Sequence, residues 1–571
     1  MLPHTAPCPQ VSQGPGRKLA LRERAQIAEL VHQFRREQRP RVSQRQFAHR
    51  TQVPRTTLQG WLGRAHRADL PAEEIAFFES PAGVAFLHRL EVAAHLVMCL
   101  MGACGIRLVG LLFRYAKLDP FVACSYGAQR EVQKRLEQQV VRFGEQERNR
   151  LGEQMPARRV TMCQDETFHP AVCLVAIEPV SNFIVLERYE QKRDAATWTK
   201  AMESALCGLP VEVVQGTSDE GKGLVRHVET ELGVHHSPDL FHVQHELSCG
   251  TAAALAARER AAQTDLEQAS AQLQEVLLAQ QEAATCPPRA GRPVHWEGRV
   301  DSAQQHLGQA QQALHRAQAH REAMRQTVRE LGQAYHPFDL QTGVARTEAE
   351  VATDLGCLMH KARQGAVEAG LSVGSRERIE KAARVVPALV ATVAFFHGMV
   401  AQRVAAATQV EEIRRLFHKV LIPALYLDRV AKRARGALTR AHLRKVAQGL
   451  RQTLRAAPPA WLTLPEATRV ALWSLAQDCA DLFQRSSSCV EGRNGQLSLR
   501  HHHLHQISPQ RLAALTVIHN YVLRRPDGTS AAQRFFGAPS KELFTELCSR
   551  LPPPARPRQR RPAGAICPQA G

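Results

Sequence analysis

The chain has 571 residues, 44% of them apolar and 22% charged, a balance that excludes a largely disordered protein. Its formal net charge of +20 points to a polyanionic partner, and nucleic acid fits best because the excess is mostly arginine, whose planar fork grips phosphate bidentately. Fourteen cysteines without a CxxC pair or regular spacing argue against a disulfide framework and predict reduced thiols in a cytoplasmic compartment; a chain that binds DNA there would be nucleoid-associated.

Residues 1–20 carry no apolar run of the kind a signal peptide needs and read as disordered. From 21 to 70 the pattern is helix-turn-helix. "LRERAQIAELVHQFRREQ" repeats apolar residues at helical spacing, and "VSQRQFAHRTQVPRTTLQGWLGRAH" gives two short helices around a break at Val53 and Pro54. Ser43 is placed as an N-cap, Pro54 suits the first turn of the second helix, and Phe47, Leu58, Trp61 and Leu62 form the small core. Arg55, Thr56, Thr57, Gln59 and Arg64 then face outward as candidate DNA contacts. A helical hairpin packed on its own protein, with a merely solvated basic face, would show the same pattern.

Residues 71–156 read as a helical connector. Within it, "VAAHLVMCLMGACGIRLVGLLF" (92–113) is long enough to span a membrane, but His95 and Arg107 and the glycine break favour a buried helix pair, so no membrane partner is expected. Strand signals start at 157. "ARRVTMCQDETF" and "AVCLVAIEPVSNFIVLERYE" are short Val- and Ile-rich runs, the second split by a hairpin turn at "EPVSN". A helix at 194–206, a strand at 211–219, a helix at 221–232 and a strand at "DLFHV" (239–243) complete a β-β-β-α-β-α-β order, that of a mixed α/β sheet with flanking helices.

Residues 248–484 read as all helical. Two Ala-, Gln- and Glu-rich stretches joined by a Pro- and Gly-rich turn at 287–293 predict a long antiparallel hairpin, a candidate dimer interface, and 385–407 is apolar nearly all round, as the centre of a helical core would be. A closing segment, 485–548, is followed by a Pro- and Arg-rich tail, 549–571, read as disordered.

The acidic residues that carry chemistry sit at strand ends. Asp165 ends the first strand and Asp219 the fourth, so neighbouring strands would bring their carboxylates to one edge, where a divalent cation finds oxygen ligands. Two such ions about 4 Å apart can serve both the attacking and the leaving oxygen of a phosphodiester. Each aspartate could equally cap a turn or helix. Glu166 and Glu220 lie beside them, Asp239 is the rival second ligand, ranked lower because it begins a strand, and His242 is a candidate accessory contact. Asp478 and Asp481 are explained by the solvated face of a periodic helix. His501, His502, His503 and His505 point in different directions on any regular element and are not read as zinc ligands.

The set "QDETF" (164–168), "GTSDEGKGL" (216–224), "SPDLFHVQHEL" (237–247) and "SSCVEGRNGQL" (487–497) resembles the DDE transposases, with the "DLFHV" run moderately specific. The resemblance implies a ribonuclease H-like core, first part 157–247 and second part 485–548, interrupted by a helical insertion as in bacterial insertion-sequence transposases. It implies that Asp165, Asp219 and Glu491 bind two Mg²⁺ or Mn²⁺ ions, cut transposon ends and join them to target DNA, in a homodimer or higher assembly. Arg493, Asn494 and Arg500 beside Glu491 become candidate DNA contacts. Three alternatives remain: a non-catalytic DNA-binding regulator derived from a transposase, a structural helical scaffold whose acidic residues are caps, and a nuclease of the same fold without strand transfer.

Overall fold

The computed structural model describes residues 24–38, 42–65, 71–168, 171–285, 293–456, 459–504 and 507–557. The expected disordered N-terminus and most of the basic tail lie outside them, as does most of the turn at 287–293. Two compact units emerge, one of residues 1–150, 502–523 and 539–571, the other of 151–501 and 524–538. The expected segment 485–548 is therefore divided between them, with 502–523 belonging to the unit that holds the N-terminal helices.

In the first unit, α1 (Arg24–Gln38), α2 (Gln44–Thr51) and α3 (Arg55–Ala65) enclose a core of Val31, Phe34, Phe47, Val53, Leu58 and Trp61, with Leu62 packed against it. Ser43 caps α2 in a reciprocal capping box with Gln46. Pro54 precedes α3, and its carbonyl accepts from Leu58 N at 3.0 Å; the proline thus stands at the cap position rather than in the first turn. Then come α4 (Ala72–Phe78), α5 (Pro81–Ala94), which runs on through a π-helical stretch to Met101, α6 (Ile106–Tyr115) and α7 (Tyr126–Gly152). Residues 102–105 interrupt the apolar 92–113 run as anticipated. Part of the tail read as disordered is packed: Ala123 N donates to Ala555 O at 2.7 Å and Arg556 pairs with Glu79.

The second unit holds one five-stranded sheet, ordered β3-β2-β1-β4-β5, from β1 (Arg158–Phe168), β2 (Val172–Glu178), β3 (Phe183–Glu190), β4 (Val211–Ser218) and β5 (His235–Pro238). β1, β2 and β3 are antiparallel neighbours, whereas β4 runs parallel to β1 and β5 parallel to β4. Strand periodicity divides β1 between two faces. Val160 and Met162 join a cluster with Trp198, Ala201 and Met202 of α8 (Ala195–Leu206) and Leu224 of α9 (Lys222–Arg226). Thr161, Cys163 and Asp165 look the other way: Thr161 Oγ1 donates to Leu482 O and Cys163 Sγ to Ser486 O.

Helices fill the rest of this unit. α10 (Leu240–Thr285) and α11 (Trp296–Ala334) form the long hairpin, with Ala262 and Ala269 buried on one helix and Ala303 and Ala310 on the other, each pair seven residues apart. The remaining helices are α12 (Glu348–Glu368), α13 (Val373–Ala407), α14 (Glu411–Leu416), α15 (Ile422–Arg433), α16 (Ala437–Gln452), α17 (Pro459–Leu462) and α18 (Glu466–Asp481). α19 (Ser488–Leu504) starts here, α20 (Pro509–Val517) and α22 (Leu543–Arg550) lie in the first unit, and α21 (Ala531–Phe536) lies in the second. Among the described residues, Pro81–Met101 and Val373–Ala407 have the length and hydropathy to cross a membrane. Leu389, Val393, Phe396 and Val400 of the latter lie in the main hydrophobic core, the central position its all-round apolar sequence predicts.

The expected α/β, ribonuclease H-like class is overturned: the described residues are 71% helical with a single five-stranded mixed sheet, and the protein is mostly helical. Length is the reason. The strands run from four to eleven residues, whereas α10 alone has 46 and α11 has 39. The expected strand at 239–243 is also corrected. The fifth strand is "HHSP" (235–238), and Asp239 is the turn into α10.

Candidate active site

The parallel register that sets Cys163 beside Thr217 carries the chain, two residues on, to Asp165 on β1 and Asp219 just past β4. Asp165 does not end its strand, since β1 continues to Phe168 paired with β2 alone. Its carboxyl is buried, at 8% exposure. Oδ1 accepts from Glu166 N at 2.8 Å and Oδ2 from Asn494 Nδ2 at 2.9 Å. Burial, reinforced by the neighbouring charges of Glu491, Asp219 and Asp239, pushes its pKa up to about 7. Those neighbours come from three other places in the chain, so acidic groups converge on Asp165 from β4, from the start of α10 and from α19.

Asp219 is half-buried and accepts from Gly221 N at 3.1 Å, holding the turn into α9. Glu491 stands in the first turn of α19, half-buried, 3.8 Å from His242 Nε2 in the first turn of α10. Asp239 is 1% exposed and fully engaged: Oδ1 accepts from Phe241 N at 2.7 Å, and Oδ2 from both the amide, at 3.0 Å, and the hydroxyl of Ser487. It ties the start of α10 to the residue before α19. Cys163 and Cys489 add a second tie, a thiol hydrogen bond that, with burial, holds the Cys163 thiol well above its ordinary pKa.

Two other predicted residues are placed elsewhere. Glu166 follows the β1 alternation to the α8 face, where Trp198 Nε1 donates to it at 3.0 Å and Arg193 pairs with it at 3.0 Å. Its amide serves Asp165, but its carboxylate is spent on Trp198 and Arg193. Arg493, expected to contact DNA, is 5% exposed and makes a bidentate pair with the buried Glu187 of β3, Nε to Oε1 at 2.7 Å and Nη2 to Oε2 at 2.6 Å. Its guanidinium holds α19 on the sheet and is withdrawn from solvent.

Asn494, also expected on DNA, holds Asp165, and Arg500 is half-buried and engaged further along α19. In the first unit Arg55, Thr56 and Gln59 are exposed on α3 and Thr57 is half-buried; the side chain of Arg64 lies outside the described residues, as do those of His503 and His505. Asp481, assigned to a solvated face, is instead half-buried and paired with Arg429 at 3.5 Å.

A cavity of about 320 Å³ opens beside the carboxylates, bordered by Asp219, Asp239, His242 and Lys381. Lys381, from α13, escaped the sequence reading; its ammonium pairs with Glu246 at 2.6 Å. Only its helical phase relative to α10 places it there, and no short motif encodes that. Among the described residues no three His, Cys, Asp or Glu side chains are set at metal-binding spacing. The carboxylate oxygens there are donors of the kind a hard divalent cation takes, beside the imidazole of His242 and the ammonium of Lys381. Buried polar atoms without hydrogen-bond partners also occur here, His242 Nε2 and Asn494 Oδ1.

Residues 417–563 are similar to a family of unknown function (DUF6399). The matched stretch contains Glu491 and Asn494 but neither Asp165 nor Asp219. No curated protein and no solved structure matches the chain.

Proposed function

We propose that this protein is a DNA transposase of the DDE type, of the bacterial insertion-sequence kind, which cuts transposon ends and joins them to target DNA. The observation that carries the reading is the gathering of Asp219 and Glu491 around the buried Asp165 from segments far apart in sequence, in a chain of net charge +20. Asp165, Asp219 and Glu491 would hold two Mg²⁺ or Mn²⁺ ions, which when bound supply Lewis acidity to the attacking and leaving oxygens. Asn494 orients the Asp165 carboxylate. Asp239, through Ser487, sets the start of α19 and with it Glu491. His242 faces Glu491 and offers a nitrogen to substrate in the cavity. The exposed side chains of α3 supply contacts to double-stranded DNA at the element's ends, and the protein works in the cytoplasm, bound to the nucleoid, as a homodimer or larger assembly.

The absence of three ligands at metal-binding spacing among the described residues favours a second reading, a non-catalytic DNA-binding regulator descended from such an enzyme. Labelled duplexes carrying the inverted repeats that flank the gene separate the two. The full chain with Mg²⁺ or Mn²⁺ is expected to nick and join them, with Asp165→Asn, Asp219→Asn and Glu491→Gln each slowing the reaction about 1,000-fold or more while leaving DNA binding intact. Binding with no cleavage under either ion would leave the regulator. Cleavage without joining would make the protein a nuclease, and activity surviving Glu491→Ala with folding unchanged would remove Glu491 from the catalytic set.

A further inference from the structure

A second cavity in the same unit, about 300 Å³, has the opposite charge. Three arginines border it, Arg429 and Arg433 from α15 and Arg485 from the segment joining α18 to α19. Among the described residues the only carboxylate paired with any of them is Asp481, 3.5 Å from Arg429 Nε. Three guanidinium charges against one carboxylate leave a local excess of two. Arg429 is nearly enclosed, with 13% of its side chain exposed, and Arg485 is half-buried. Partly buried cations without counter-charges are costly unless something anionic joins them. Burial and the neighbouring Arg433 charge lower the pKa of Arg429 to about 10, the direction such crowding produces.

The hydrogen bonds around the cavity hold donors ready. Arg485 Nη1 donates to Gly332 O at 2.6 Å and to His336 Nε2 at 2.7 Å. His336 is buried, and burial with the nearby arginine charges keeps it neutral. Because Nε2 accepts, Nδ1 carries the proton and donates to Tyr426 Oη at 2.6 Å, leaving the phenol its own hydrogen to give. Arg433 is exposed at the mouth, with one long bond of 3.4 Å to Gln484 Oε1, so its guanidinium can turn to an incoming group at small cost. Ser488, the first residue of the 17-residue α19, also borders the cavity, adding the positive end of a helix. Tyr426 and Phe483 provide aromatic wall.

We propose that this cavity binds the phosphate group of a nucleotide, gripped by Arg433 and Arg485 with the start of α19 behind it. An excess of two positive charges matches a phosphate dianion, forked guanidinium donors suit its tetrahedral oxygens, and the aromatic wall suits an attached base. The source of the phosphate is a free nucleotide, whose terminal monoester is the dianion, or a unit of a DNA strand, where two neighbouring phosphodiesters would carry the two charges. This reading does not depend on chemistry at the carboxylates, although the two sites are joined through three consecutive residues: Ser486 and Ser488 border the arginine cavity, and Ser487 bonds Asp239.

The test is calorimetric titration of the full chain in EDTA with a deoxynucleoside 5′-monophosphate, the matching nucleoside, inorganic phosphate and a dinucleotide with one internal phosphodiester. The monophosphate is expected to bind and the nucleoside not. Arg433→Gln should weaken binding about tenfold or more, and Arg485→Gln likewise, whereas Asp165→Asn should leave it unchanged. Inorganic phosphate binding as tightly as the nucleotide overturns the nucleotide assignment; tighter binding of the monophosphate assigns the pocket to a free nucleotide, and tighter binding of the dinucleotide assigns it to a strand. Nucleoside and nucleotide binding alike, no binding by any phosphate compound, or undiminished binding in Arg433→Gln, whose exposed side chain leaves folding intact, each overturns the proposal. Metal-free binding that persists in a protein inactive on DNA would retain this pocket and discard the transposase reading.

Discussion

Arg493 and Asn494 are neighbours in sequence with different fates, and helical phase explains both. Val490 and Leu497 are buried in α19, and Arg493 falls on the same stripe, three residues after the first and four before the second. That spacing was available in the sequence; what was missing was the partner, because Glu187 lies 306 residues away and nothing local announces it. Removing one member takes the charge partner from the other. Arg493→Ala is expected to cost about 3–5 kcal/mol, because the buried Glu187 carboxylate loses its bidentate guanidinium, whereas Arg493→Met combined with Glu187→Leu recovers most of the loss. Urea denaturation of Arg493→Ala and of the double variant measures this. A double variant no more stable than Arg493→Ala would mean that the pair contributes through shape and not through charge.

Elements were legible where local chemistry and packing agree. The capping box at Ser43 and Gln46, the Asp194 cap of α8, whose side chain accepts from Thr197 N at 2.9 Å, and the short Val- and Ile-rich runs of β1 to β3 all follow from short-range rules. Two misreadings have one cause. "DLFHV" has the composition of a strand, but Asp239 caps it as a helix, and "HHSP" has no strand propensity, yet pairing with β4 and its place at the sheet edge make it β5 and tolerate its closing proline. Tertiary pairing overrode composition in both. Of the candidate site, Asp165, Asp219 and Glu491 could be nominated from sequence, whereas Lys381 and the Arg485 cavity required the helix packing itself. For α3, Arg55 and Gln59 are exposed and their loss should leave its core intact. Arg55→Ala with Gln59→Ala is expected to lower affinity for double-stranded DNA about tenfold and to flatten its salt dependence by about one unit of slope, with the thermal midpoint unchanged. Unaltered DNA binding by filter or anisotropy assay would make α3 a packing helix only.

At the scale of the molecule, the class was misjudged because strands announce themselves by composition and helices by length, and here length dominates. The helical mass also sets how the protein meets acid. Eight histidines among the described residues, at 88, 95, 227, 235, 236, 336, 397 and 418, have pKa values lowered chiefly by burial, His227 and His235 to about 4. An unfolded histidine takes its proton near pH 6.5, so between that value and about 4 the unfolded chain binds more protons and stability falls as pH falls. His227, fully buried with Nε2 unpartnered, contributes at most about 3 kcal/mol to that fall. Four carboxyls raised by burial, Asp165, Glu220, Asp478 and Asp481, work in the opposite direction, because the folded form holds their protons longer. Histidines outnumber them two to one, so the net slope is toward destabilisation in acid. The thermal midpoint should drop steadily from pH 7 to pH 4.5 at constant ionic strength, and His227→Gln, which has no proton to gain, should make the slope shallower whatever its effect at pH 7. A midpoint that stays level or rises on acidification would mean that the carboxyls around Asp165 govern the balance, which is also the condition under which a divalent cation would stabilise the protein most.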